Sequence, residues 1–140
     1  SDLEELIFLK VEKYIEDVAQ ICEPPIFKRK PKRLKLSIWG VVMKSGGHQV
    51  PHIHPSAWLS GVYYVKVPDS VVGAQANYSG CIGFGIIPSH FHNKKQIIEK
   101  FIKPKPGSLI LFPSSYYHQT IPMKADQKRI SIAFDLIDMD

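Results

Sequence analysis

Six histidines carry most of the chemical potential of this chain: His48, His52, His54, His90, His92 and His118. Imidazole suits Fe, Zn, Cu and Ni, and geometry rather than affinity selects among them. His52-Ile53-His54 lies between a turn and a strand. In extended backbone, residues two apart point the same way, so both rings face one side. Two such ligands need one more to make a facial three-ligand site. His118 is the best candidate, because it follows an apolar strand and the turn Pro113-Ser114-Ser115-Tyr116-Tyr117. A second pair, His90-Phe91-His92, has the same spacing but sits among Pro88, Ser89, Asn93 and two lysines, which reads as a surface loop. Between Pro24 and Ile98 the only carboxylate is Asp69, so the middle of the chain offers almost no acidic ligand.

The segment Arg129-Ile130-Ser131-Ile132-Ala133-Phe134-Asp135 alternates cleanly. One face carries Arg129, Ser131, Ala133 and Asp135. The other carries Ile130, Ile132, Phe134 and Leu136. An arginine and a serine thus leave one face together, 11 residues after His118. A guanidinium can grip a carboxylate through two parallel hydrogen bonds, and a neighbouring hydroxyl adds a third.

These residues must be held by the elements around them. From Leu3 to Ile21 the apolar positions Leu3, Leu6, Ile7, Val11, Tyr14, Ile15, Val18 and Ile21 keep helical spacing, with Asp2 as the expected cap and Pro24-Pro25 as the stop. Strands are expected at Leu34–Met43, Trp58–Val67, Gly80–Ile87, Ile97–Lys103, Ser108–Phe112, His118–Met123 and Arg129–Ile137, with a loop from Pro68 to Ser79. One helix followed by seven or eight short strands with frequent Gly/Pro turns predicts an all-β jelly roll, or small barrel, behind an N-terminal helix. The expected organisation is a helix at residues 1–23, a basic linker at 24–35 and a β-domain at 36–140.

Composition narrows the class. At 140 residues, 44% hydrophobic and 22% charged, the chain reads as one globular domain able to bury a core without staples. Two cysteines, Cys22 and Cys81, exclude a disulfide scaffold and a cysteine-only metal site. No apolar run is long enough for a bilayer and no leader is evident, so a soluble, cytoplasmic, reducing setting without a membrane partner is expected. The net charge is +5, and six of the 18 basic residues cluster as Lys28, Arg29, Lys30, Lys32, Arg33 and Lys35. Phosphate contacts need such charge, so a polyanion is a candidate partner of this segment. The helix can pack on its own barrel or on that of a second copy, as in a homodimer.

The order of motifs resembles a known family. His52-Ile53-His54-Pro55 is followed by Leu59-Ser60-Gly61-Val62-Tyr63-Tyr64-Val65, then Gly80-Cys81-Ile82-Gly83-Phe84-Gly85, then Phe112-Pro113-Ser114, His118 and Arg129-Ile130-Ser131-Ile132. From about His48 to Leu136 this is similar to the Fe(II)/2-oxoglutarate-dependent dioxygenases of the double-stranded β-helix (cupin-like jelly-roll) fold. It is most similar to the branch with HxHP, LSGVYYV, FPS…H and RISI. The resemblance implies Fe(II) as cofactor and 2-oxoglutarate as co-substrate, which O2 oxidises to succinate and CO2 while a substrate is hydroxylated.

Carried over by position, His52 and His118 are metal ligands, and Arg129 binds the remote carboxylate of 2-oxoglutarate with Ser131 as helper. Most of the superfamily has Asp or Glu where this chain has His54. Either His54 ligates, giving three neutral nitrogens, or water completes a two-histidine site; the three-histidine reading is favoured here. Trp39, Trp58, Tyr63, Tyr64, Tyr116 and Tyr117 are aromatic candidates for the cavity wall, with Trp58, Tyr64 and Tyr116 as the expected substrate-pocket residues. Alternation puts Tyr63 and Tyr64 on opposite faces, so only one reaches inside.

Two other readings compete. A metal-binding cupin of different chemistry fits Gly46 followed by His52-Ile53-His54, but Trp58 stands where that motif has glutamate, His118 is 11 residues past Gly107, and Arg129 has no task. A noncatalytic polyanion-binding module would use the basic segment alone.

Overall fold

The expected helix and strands form in the expected order. The structure is a computed structural model that describes residues 1–21, 29–73, 77–85 and 99–140. Helix α1 (Asp2–Ile21) precedes β1 (Leu34–Met43), β2 (Gln49–His52), β3 (Leu59–Lys66), a short α2 (Asp69–Val72), β4 (Ile82–Phe84), β5 (Lys100–Ile102), β6 (Leu109–Pro113), β7 (His118–Thr120) and β8 (Arg129–Asp138). One four-stranded sheet has the order β1-β8-β3-β6 and the other β2-β7-β4-β5. All pairings are antiparallel. This is the jelly-roll, double-stranded β-helix architecture anticipated from the strand pattern.

Three details depart from the expectation. The stretch after Pro68 is not all loop, because Asp69–Val72 closes into α2 with Val71 buried. Ser1 rather than Asp2 stands ahead of α1, its Oγ accepting the Glu4 N–H at 3.5 Å. Gln49–His52, which none of the expected strands covered, forms β2. His90, His92, Cys22, Lys28 and the Pro24-Pro25 stop lie outside the described residues.

The alternation of β8 decides which side is wet. Phe134 and Leu136 point outward and are covered by α1, whose Ile7 and Val11 join them with Leu59 and Trp58 in one buried cluster. Ile7 and Val11 are four apart, so one helical stripe does the covering. Each such side chain contributes roughly 1.5–3 kcal/mol on burial. The Phe134 ring lies directly over Gly61, where a Cβ would come within 2.3 Å of it. The opposite face of β8 then looks into the space between the sheets, where Arg129 and Ser131 are buried. A second cluster of Met43, Tyr64, Val67, Val71 and Met123 closes the Arg129 end.

The described part of the basic segment folds back on the domain. Lys30 pairs with Glu12 of α1 at 2.7 Å, and Arg33 and Arg29 approach Asp140 at 3.5 and 4.0 Å. The Lys32 N–H also donates to Asp140 Oδ2 at 2.6 Å. Exposed pairs of this kind contribute little, because solvent screens them and ordering the side chains costs entropy. Among the described residues no helix is long and apolar enough to cross a membrane.

Candidate metal centre

His52 closes β2 and stands directly opposite His118 of β7, with a register irregularity between Gln49 and His52. Such irregularities re-aim side chains beside functional sites. His54 lies two residues on, in a turn pinned to the end of β6. Its N–H donates to Ser114 O at 3.0 Å, and Trp58 N–H donates to Leu136 O at 2.7 Å. Ser114 Oγ adds hydrogen bonds to the carbonyls of Ala57 and Trp58.

The result is a triangle of imidazoles. Ring centroids are 4.3 Å apart for His52–His118, 5.0 Å for His54–His118 and 5.2 Å for His52–His54. The potential ligand atoms lie within 4.8 Å of one another. Each Nδ1 already faces an acceptor: Val50 O for His52 at 2.7 Å, Tyr116 O for His118 at 2.9 Å, and Asp135 Oδ2 for His54 at 2.9 Å. Nδ1 must therefore carry the proton, and Nε2 keeps its lone pair for the centre. His118 is buried, and that burial pulls its pKa down to about 4, against the opposing hydrogen bond to Tyr116 O. A neutral ring is the form a metal needs. Phe112 packs on His118 at 4.6 Å between centroids, and Trp39 stacks on His54 at 6.1 Å with planes 21° apart.

Arg129 opens β8 and lines the same cavity as the three histidines. It is 3% exposed. Nη1 donates to Gly80 O at 2.9 Å and Nη2 meets Met43 Sδ at 3.1 Å. Its Nε is buried without any hydrogen-bond partner. The Tyr64 ring centroid lies 5.7 Å from its Cζ. Among the described residues Arg129 forms no ion pair. Burial lowers its pKa and the neighbouring Tyr64 acts the other way. Burial also pushes the Tyr64 hydroxyl up to about 12, with Arg129 opposing, so the phenol is neutral. A buried cation with one donor left over is an exception to the rule that buried polar groups are hydrogen-bonded.

His52, His54, His118, Arg129, Ser131 and Tyr64 all line one cavity, with Trp39. Tyr64 stands opposite Ser131 and beside Arg129, at the cationic end. Trp58 does not reach the cavity: it is 8% exposed and belongs to the core beneath α1. Its position just before β3, packed with Ile7 and Val11 of α1, takes it out of the expected pocket. Tyr116 is also displaced, half exposed on a neighbouring surface pocket with Phe84 and Tyr117.

Sequence reasoning missed Thr120, Gln49 and the partnership of Asp135. Thr120 lines the cavity and is two residues past His118 on the same strand, so alternation could have found it. Asp135 shares its face with Arg129 and Ser131, yet the search for a carboxylate near His54 stopped at the neighbouring sequence. The pairing of β8 with β3 brings it there: Asp135 lies opposite Ser60, whose Oγ donates to Oδ1 at 2.6 Å.

Comparison with known proteins adds an independent line. The sequence profile of the family described as "Putative 2OG-Fe(II) oxygenase" matches residues 37–135. Among solved structures, the chain is similar to a Pseudomonas putida prolyl-4-hydroxylase, with TM-score 0.55 and 18% identity over 75% of this chain and 52% of that one. It is also similar to a 2OG-Fe(II) oxygenase family oxidoreductase from Burkholderia pseudomallei, with TM-score 0.58 and 14% identity over 80% of this chain and 48% of that one. At such identities the likeness is one of fold, and this chain spans about half the length of either protein. No curated protein matches the sequence.

Proposed function

The chain belongs to the 2OG-Fe(II) oxygenase family, and from that premise we propose that it is an Fe(II)- and 2-oxoglutarate-dependent dioxygenase that hydroxylates its substrate. The family implies Fe(II) and 2-oxoglutarate, and the residues present fit both. Three imidazoles with their Nδ1 protons engaged leave three Nε2 donors for one metal. The orphaned Nε of buried, unpaired Arg129 fits the remote carboxylate of a dicarboxylate. That orphaned cation is the observation that carries the reading, because a metal-binding cupin of other chemistry has no use for it.

In this reading His52, His54 and His118 hold the iron. Bound iron with 2-oxoglutarate and O2 would supply oxidative decarboxylation to succinate and CO2, one oxygen atom going to succinate and the other to the hydroxylated substrate C–H. The chain's own residues bind and orient. Arg129 draws in the carboxylate by charge. Ser131 and the neutral phenol of Tyr64 flank it as hydroxyl donors, and a charge-assisted hydrogen bond from each would fix the co-substrate's register. Phe112 and Ile82 close the cavity wall on the side of His118, excluding water there. Trp39, 37% exposed and stacked on His54, stands where a substrate would enter.

An anaerobic titration tests the proposal. Fe(II) and then 2-oxoglutarate are added to metal-free protein while the visible spectrum is recorded, with Arg129→Ala and His118→Ala alongside. The expected result is a weak charge-transfer band that needs both additions and is lost in both variants. Tight metal binding without any band would sink the dioxygenase reading in favour of the metal-binding cupin.

A further inference from the structure

Three imidazole ligands are neutral, so a divalent metal held by them alone keeps its full charge. Arg129 adds a further positive charge in the same cavity. Against these three positive charges, 2-oxoglutarate brings two negative ones. One positive charge is left over in a site whose Arg129 and His118 are buried, where an unmatched charge is costly. The described residues lining the cavity include no carboxylate.

One carboxylate stands immediately behind the lining. Asp135 Oδ2 accepts the His54 Nδ1–H at 2.9 Å, and Ser60 Oγ donates to Oδ1 at 2.6 Å. The side chains of His54 and Asp135 are only 19% and 15% exposed. Ser60 is fully buried and in register with Asp135 across β3 and β8, so strand pairing fixes the carboxylate whose other oxygen meets His54. His52 and His118, by contrast, turn their Nδ1 to backbone carbonyls. Among the described residues only His54 of the three has a carboxylate on its Nδ1.

We propose that Asp135 is the counter-charge of the metal centre, acting through His54 as a positioning residue and supplying one bond further out the negative charge that a directly ligating carboxylate would bring. The proposal rests on the metal reading above. It makes the cavity's formal charges balance with both cofactor and co-substrate bound. It also orients His54 towards the metal, since a carboxylate on the far nitrogen fixes the tautomer and the ring. β8 thereby carries the site's cation at one end and its anion near the other, six residues apart on one face.

The test compares metal binding by the wild-type chain, Asp135→Asn and Ser60→Ala. Anaerobic Fe(II) affinity is measured by competition with a chromophoric chelator, and Co(II) spectra report the ligand set. Asparagine still accepts from His54 but carries no charge. The expected result is Fe(II) binding weakened about 10–100-fold in Asp135→Asn, with Co(II) band positions and intensities unchanged. Ser60→Ala, which keeps the charge and frees one oxygen, should weaken binding by a smaller factor; it keeps the question open to test if Asp135→Asn does not fold. Wild-type affinity in a folded Asp135→Asn overturns the proposal while leaving the metal reading intact. A Co(II) spectrum of changed coordination number in Asp135→Asn overturns it differently, by making Asp135 a direct ligand. Failure of the wild-type chain to bind any metal refutes the parent reading itself.

Discussion

Replacing Arg129 by methionine should stabilise the ligand-free protein and abolish its response to 2-oxoglutarate. The wild-type guanidinium gains one charge-assisted bond to Gly80 O at 2.9 Å, a contribution of roughly 1.5–3 kcal/mol. The Tyr64 ring at 5.7 Å adds at most about 2 kcal/mol. Against this stand an orphaned Nε, costing about 1–3 kcal/mol, and the removal of a cation from water, costing several kcal/mol. The balance leaves the free protein paying roughly 1–3 kcal/mol for a charge that waits for its partner. Methionine fills similar space and needs no partner, so Arg129→Met should be more stable by about that amount. The assay is urea unfolding followed by tryptophan fluorescence, for which buried Trp58 is a core reporter. Protein is loaded with Mn(II) to hold the site without turnover. At a hundredfold excess over its Kd, 2-oxoglutarate should add about 2.7 kcal/mol to the wild type and nothing to the variant, so the stability gap closes or reverses on adding ligand. A variant less stable than wild type without ligand, or equally stabilised by 2-oxoglutarate, refutes the reasoning.

Two further outcomes follow from packing and burial. Gly61→Ala would place a Cβ 2.3 Å from Phe134 Cζ, and overpacking of this kind costs about 1–3 kcal/mol; the double variant with Phe134→Leu should lose less than the two single losses combined, and a neutral Gly61→Ala would show that the ring moves freely. The Tyr64 hydroxyl titrates at about 12 in the folded chain against 10.0 unperturbed. Between those values the unfolded chain has lost the proton and the folded chain keeps it, so stability is full below pH 10 and declines as pH rises towards 12, by roughly 2–3 kcal/mol from this group. Tyr64→Phe should flatten that decline and remove the latest step of the phenolate absorbance titration; an unchanged profile would mean that the phenol is open to water.

Much of this protein is written locally. Helical spacing from Leu3 to Ile21 and strict alternation from Arg129 to Leu136 are properties of contiguous residues, so α1 and β8 could be read with the faces they present. The pair His52 and His54 could be read for the same reason, because period-two geometry acts within three residues. The link to His118 and Arg129 came from motif order. What sequence could not supply was which surface each face meets. Trp58 looked like a pocket aromatic, but it sits just before β3 on a side that α1 covers, and only the docking of the helix makes that side the core. Asp135 looked irrelevant to His54 from a distance of 81 residues. Strand pairing across β3 and β8 removes that separation, since register, not sequence distance, sets which side chains touch. The residues that can do chemistry, and the faces they leave from, were thus determined by the sequence alone. Which neutral nitrogen has an anion behind it, and which cation has none, was decided by tertiary structure, because charge compensation depends on neighbours that only the packed sheets bring together.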